Sequence, residues 1–126
     1  MLATLEIRNL IAGGEFDEIN EVYANNLPKE MLDNTDKTIA LVMDSNQELG
    51  MTGNNDFFSK INEVEIQIFY KLDIDFELDD FETRLLKYLI KNHCKIEDIK
   101  EHTIDPDTMQ LTAVFYISFE KILKGE

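Results

Sequence analysis

From Val64 to Phe76 every even position is apolar (Val64, Ile66, Ile68, Tyr70, Leu72, Ile74, Phe76), and between them stand Glu65, Gln67, Phe69, Lys71, Asp73 and Asp75. Side chains alternate across a strand, so this pattern specifies one buried face and one largely solvated face. At about 3.3 Å per residue the stretch would reach roughly 43 Å, well beyond the usual strand of about 5 to 6 residues. A strand of that length bends or projects past its own domain. A parallel-sheet strand buried on both faces would be continuously apolar, so the half-wet alternation makes this the spine of an antiparallel sheet.

The other elements are placed around that spine. Leu2, Leu5, Leu10 and Ile11, with Glu6, Arg8 and Asn9 between, predict a short amphipathic helix stopped by Gly13-Gly14 and covering one sheet face. Phe16, Ile19, Val22 and Tyr23 suit either a helical turn or a short strand, and a strand over Glu21 to Ala24 is the expectation. Asn25-Asn26-Leu27-Pro28 is turn chemistry, with Pro28 placed to open one helical turn through Leu32 before Asp33-Asn34. Thr38 to Met43 is a compact, nearly continuous apolar strand, which suggests a central place in the sheet.

Phe81, Leu85, Tyr88 and Leu89 repeat at helical spacing within Glu77 to Asn92, with Asp79 and Asp80 at the start and Lys87 and Lys91 near the end, as the helix dipole favours. Ile99 to Ile104 and Met109 to Phe119 read as two strands joined by a type I turn, Asp105-Pro106-Asp107-Thr108. The main elements run helix, strand, strand, helix, strand, strand. The expected fold is one α+β domain over residues 1–126, a mainly antiparallel sheet packed with two helices.

Asp44 to Glu63 has no clear periodicity and contains Gly50, Gly53 and Asn54-Asn55, so a long flexible loop is expected there. Connections of this length inside a compact domain are commonly functional or disordered. Met51, Phe57 and Phe58 within it are what a segment ordered by a partner would contain, although a loop folded back over the core would account for them too. Phe69, alone among polar residues on the wet face of the spine, joins them as an assembly-interface candidate.

The chain is long enough to bury a core, and 44% apolar residues with eight Phe and four Tyr exclude an acidic disordered tail. Its 26 Asp and Glu against 12 Lys and Arg leave a net charge of −14. Such a surface repels nucleic-acid phosphates and anionic membranes, so no specific nucleic-acid binding and no membrane association are expected. A single cysteine, Cys94, permits no internal disulfide, and no leader or long apolar run stands in the sequence. A soluble intracellular product is the expectation.

Chemistry-bearing residues are sparse. Asp73, Asp75, Glu77, Asp79 and Asp80 form the densest acidic run, but an EF-hand loop counted from Asp73 would place Leu78 where glycine is needed and Arg84 where glutamate is needed. Solvated strand positions and a charged helix start explain the run. His93, Cys94 and His102 lack the paired spacing of a zinc site, and no third group orients a Cys–His nucleophile. Phosphate-binding glycine loops and a nucleophile elbow are also missing from the sequence. No catalytic residue, metal or cofactor is expected, and the protein reads as a non-enzyme.

Val22 to Pro28, Asn34 to Asp44, and Gly53-Asn54-Asn55-Asp56 leading into Val64 to Tyr70 resemble an uncharacterised family of tail-associated proteins encoded by siphophages and prophages of Gram-positive bacteria. The likeness spans about Val22 to Phe119. The order of elements, and the closing strand pair from Ile99 to Phe119, is similar to the tail terminator, or tail-to-head joining, fold. That resemblance implies a structural tail protein whose protomers form a hexameric ring at the head-proximal end of the tail tube. Its partners would be further copies of the chain, the tail tube protein and head connector proteins, and its location the virion tail after assembly in the host cytoplasm.

Two other readings compete. The charge also suits an acidic DNA mimic that inhibits a host nucleic-acid enzyme, though the carboxylates alternate with core positions instead of forming rows. An enzyme with a carboxylate-bound metal would have to use Asp73, Asp75 and Asp79.

Overall fold

The computed structural model describes residues 1–53, 56, 57 and 59–122, with no account of the side chains of residues 56 and 57. It shows an α+β fold: two helices and a six-stranded, mostly antiparallel mixed sheet. Helix α1 spans Ala3–Gly13. Strands follow at β1 (Glu21–Ala24), β2 (Ile39–Leu49), β3 (Thr52–Gly53), β4 (Asp56–Phe57) and β5 (Ser59–Phe69). Helix α2 covers Leu78–Lys91, and β6 (Lys95–Ile99), β7 (Thr103–Ile104) and β8 (Leu111–Ile122) complete the chain.

The sheet order is β1-β2-β5-β8-β6, with β7 also paired to β8, so β5 is the middle strand. The spine is therefore where the alternation put it, but it is shifted. It begins at Ser59 and ends at Phe69, and Leu72, at 54% exposure, has left the buried face. The Leu72 N–H donates to Thr35 O, and Lys71 pairs with Asp75, so the chain turns away while Ile74 and Phe76 still pack on the core rim.

Both helices lie on the even-numbered face of β5. Ile7 and Ile11 of α1 and Phe81, Leu85 and Leu89 of α2 share one core with Val64, Ile66, Ile68 and Tyr70. Cross-strand register carries this face outward, Ala40 and Ala113 flanking Ile68, and Val42 and Phe115 flanking Ile66. Burying one such aliphatic or aromatic side chain contributes about 1.5 to 3 kcal/mol. The opposite face has neither α1 nor α2 against it and presents Gln67, Glu65, Glu63 and Ile61 along β5, while Ile39 and Leu41 of β2 on that face are buried.

Several elements differ from expectation for local reasons. The buried stripe of α1 is Ala3, Thr4, Ile7 and Ile11, while Leu2 and Leu5 face solvent. The helix ends at Gly13, but the left-handed residue beyond it is Glu15 and not a glycine. β1 pairs with β2 in parallel, which makes the sheet mixed. The strand expected over Ile99 to Ile104 is two pieces, β6, which starts already at Lys95, and β7; the Lys100 N–H still donates to Val114 O of β8, and residues 101 and 102 form a bow between the pieces. At the closing turn, Asp105 Oδ1 accepts from the Asp107 and Thr108 N–H groups, and Met109 takes a left-handed φ of 64° before β8 starts.

The largest difference lies in 44–63. β2 runs on to Leu49 and β5 already starts at Ser59, so most of the expected loop is ladder, and β3 and β4 form a small hairpin at its tip. The strands were hidden because β2 from Asp44 to Leu49 is exposed on both faces, while β5 buries the polar Ser59 and Asn62, so no apolar alternation marks either.

Candidate assembly surface

The sheet is uneven, and this creates its most unusual surface. β1 covers only Ile39 to Val42 of β2, and β6 reaches along β8 only as far as Ser118. Beyond those points Asp44–Leu49, Ser59–Glu63 and Phe119–Ile122 continue as a three-stranded arm, roughly 17 Å long at about 3.4 Å per residue. Among the described residues, the outer edge of β2 from Asp44 to Leu49 and that of β8 from Phe119 to Ile122 have no strand partner. Unpaired strand edges are templates for pairing with another chain.

The arm begins at a bulge. Register shifts between Asp44 and Asn46, the Ser45 hydroxyl donates to Glu63 Oε1 at 2.9 Å, and every β2 residue beyond is exposed. A bulge adds twist, which turns the arm relative to the core sheet. One arm face carries Gln47, Lys60, Asn62 and Lys121 beside Met1 and Leu2; the other carries Asn46, Glu48, Ile61, Glu63 and Ser118, with Glu97 at its side.

Its tip is closed by a polar clasp. Ser59, fully buried, accepts from the Met51 N–H at 2.8 Å and donates to Glu120 Oε2 at 2.6 Å. Gly50 packs against the same group: a Cβ there would stand 2.0 Å from Ser59 Oγ and 2.6 Å from Glu120 Oε2. Only glycine fits that approach.

Of the four candidate interface residues, Met51 sits on this tip at 48% exposure. Phe57 belongs to β4, its side chain outside what the structure describes, and Phe58 lies outside the described residues. Phe69 is remote from the tip, half-buried at the opposite end of β5 between Ile39 and Thr112. The structure thus separates Phe69 from Met51 and β4. What sequence reasoning missed are Leu49 and Ile122, 57% and 58% exposed at the ends of the two free edges. Nothing marked either one: Ile122 stands out of phase with the alternation from Met109 to Phe119, and Leu49 lies among polar residues.

Part of the acidic run is engaged locally. Asp75 pairs with Lys71, Glu77 Oε1 caps the Asp79 N–H, and Asp80 pairs with Arg84, which also binds Glu18. Among the described residues no group of three or more His, Cys, Asp or Glu is arranged to hold a metal. Cys94 is buried and its thiol is pushed up to about 11 by desolvation, far from a nucleophile's range. His93 turns the chain out of α2 with a φ of 70°. His102 instead binds the buried carboxylate of Glu82 through Nε2, at 3.0 and 2.8 Å to its two oxygens, and the Tyr70 hydroxyl donates to the same carboxylate. Burial and that carboxylate hold the Tyr70 phenol well above its ordinary pKa, so it remains a donor. No helix among the described residues is long and apolar enough to cross a membrane.

Residues 2–124, nearly the whole chain, match the family described as "protein of unknown function (DUF806)". The chain belongs to the DUF806 family. No curated protein matches it. The family's description assigns no activity, so a reading of function rests on the arm and the sheet.

Proposed function

We propose that this protein is a structural component of a phage or prophage tail, a tail terminator or tail completion protein whose copies form a ring at the head-proximal end of the tail tube. The observation that carries the reading is the arm with two unpaired strand edges, because a sheet open on both margins can be continued by a neighbour on each side. Contacts that repeat head to tail and close give a cyclic ring, and the resemblance of Val22 to Phe119 to tail-associated proteins supplies the setting. The role is passive and needs no cofactor. The neighbours would be further copies, six in the closed ring, together with the tail tube protein and head connector proteins. Its place would be the virion tail, reached from the host cytoplasm.

The net charge of −14 agrees with a passage through which DNA must move without sticking, since like charge removes the counterion release that would hold it. It offers less to a DNA mimic. On the face away from α1 and α2, Glu63 and Glu97 are bonded to Ser45 and Ser118, and Asp98 is paired with Lys100, so they are not a free carboxylate row.

Deleting residues 50–55 tests the reading by electron microscopy. The deletion should leave the α1, α2 and β5 core folded while rings, visible with the full chain, disappear. Rings formed equally well by the deleted chain would remove the arm tip from assembly.

A further inference from the structure

Positive charge is scarce in this protein, and two of its lysines meet beside the start of α1. Lys60 of β5 and Lys121 of β8 are direct partners in register. With Asn62 and its β2 partner Gln47 they continue along the arm the face of β5 that carries the helices. Together with Met1, Leu2 and Ala3 these four residues line a cavity of about 110 Å³. A molecule of liquid water takes up about 30 Å³, so one small ion fits and little else.

Three features of this cavity lack what an anion supplies. The first N–H groups of a helix have no acceptor within it, and Leu2 at the N-cap of α1 offers them no side chain. Asn62 is only 4% exposed, yet among the described residues its carboxamide has no hydrogen-bond partner, and a buried amide left unpaired is destabilising. In the first turn of α1 the fully buried Thr4 hydroxyl is likewise without a partner among the described residues. Like charges directly opposite on one sheet face repel, as Lys60 and Lys121 do here. Lys121 is already engaged: it pairs with Glu6 at 3.3 Å and donates to Met1 O at 2.9 Å, which ties the start of α1 to the arm. Lys60, half-buried and in no ion pair among the described residues, is the charge left over.

We infer that this cavity is a binding site for one small oxyanion, a phosphate or a carboxylate group, held by the Lys60 ammonium, the Asn62 carboxamide and the N–H groups that open α1. Helix N-termini favour such ligands through their free N–H groups and dipole. The net charge of −14 repels anions from the molecule as a whole, so occupancy here reports local geometry and not bulk attraction. The site stands apart from the ring reading and does not need it.

The test titrates the full chain at constant pH and ionic strength with inorganic phosphate, with acetate and, as control, with chloride. Amide NMR follows the Ala3, Thr4 and Leu5 N–H groups and the Asn62 carboxamide, and Lys60→Gln and Asn62→Leu are titrated beside the unmodified chain. Saturating shifts with phosphate or acetate are expected, with a midpoint several-fold higher in Lys60→Gln and no saturation in Asn62→Leu. The anion with the lower midpoint tells whether the site is made for phosphate or for carboxylate. Lys60→Gln alters a half-buried arm position and keeps the test decisive even if Asn62→Leu fails to fold. Shifts that grow without saturating, or that chloride reproduces, would mean an adventitious ion only and overturn the site, as would an unchanged midpoint in Lys60→Gln.

Discussion

Glu82 shows what a single residue contributes here: a carboxylate on α2 fastened to the end of β5 by the Tyr70 hydroxyl and to residues 100–102 by His102. Tyr70 is fully buried, so its hydroxyl without an acceptor would bear the full desolvation cost, about 1 to 3 kcal/mol. Glu82→Ala should therefore destabilise the protein by about 2 kcal/mol in urea unfolding, and adding Tyr70→Phe should recover part of the loss. Strictly additive losses would mean that the two side chains are not coupled. None of this network was legible beforehand. Glu82 falls among helix positions that read as solvated, and His102 was weighed only beside His93 and Cys94, because sequence spacing says nothing about a contact made through the bow between β6 and β7.

At the scale of elements, legibility followed burial. The α2 stripe of Phe81, Leu85 and Leu89 and the β5 face of Val64, Ile66 and Ile68 were readable because one side of each is dry and the periodicity is enforced by packing. The arm was not. Asp44 to Leu49 is exposed on both faces, so its strand state comes from the ladder with β5 and leaves no alternation to read. Alternation also overran its element at the other end, where Leu72, Ile74 and Phe76 keep the period after the strand has stopped. The clasp at Gly50 gives the arm a test of its own. Gly50→Ala forces a methyl against Ser59 and Glu120, and overpacking of this kind costs about 1 to 3 kcal/mol. Hydrogen exchange should then quicken at the Met51 and Ser59 amides while Val64 to Ile68 keep their protection; unchanged protection at the tip would show that the clasp does not hold it.

For the whole molecule, a protruding arm with open edges and a charge of −14 pull in opposite directions. The edges invite another copy, and the charge repels it. Repulsion between exposed charges is screened beyond about 10 Å at 0.1 M salt, so association should strengthen as salt rises from low to moderate, opposite to an assembly held by attraction between unlike charges. The measurement that bears most directly on the account is molar mass by light scattering across a concentration series at both salts. A discrete mass of six protomers, more populated at the higher salt, is the result predicted. The mass of a single protomer at every concentration and both salts would contradict a protein built to close into a ring.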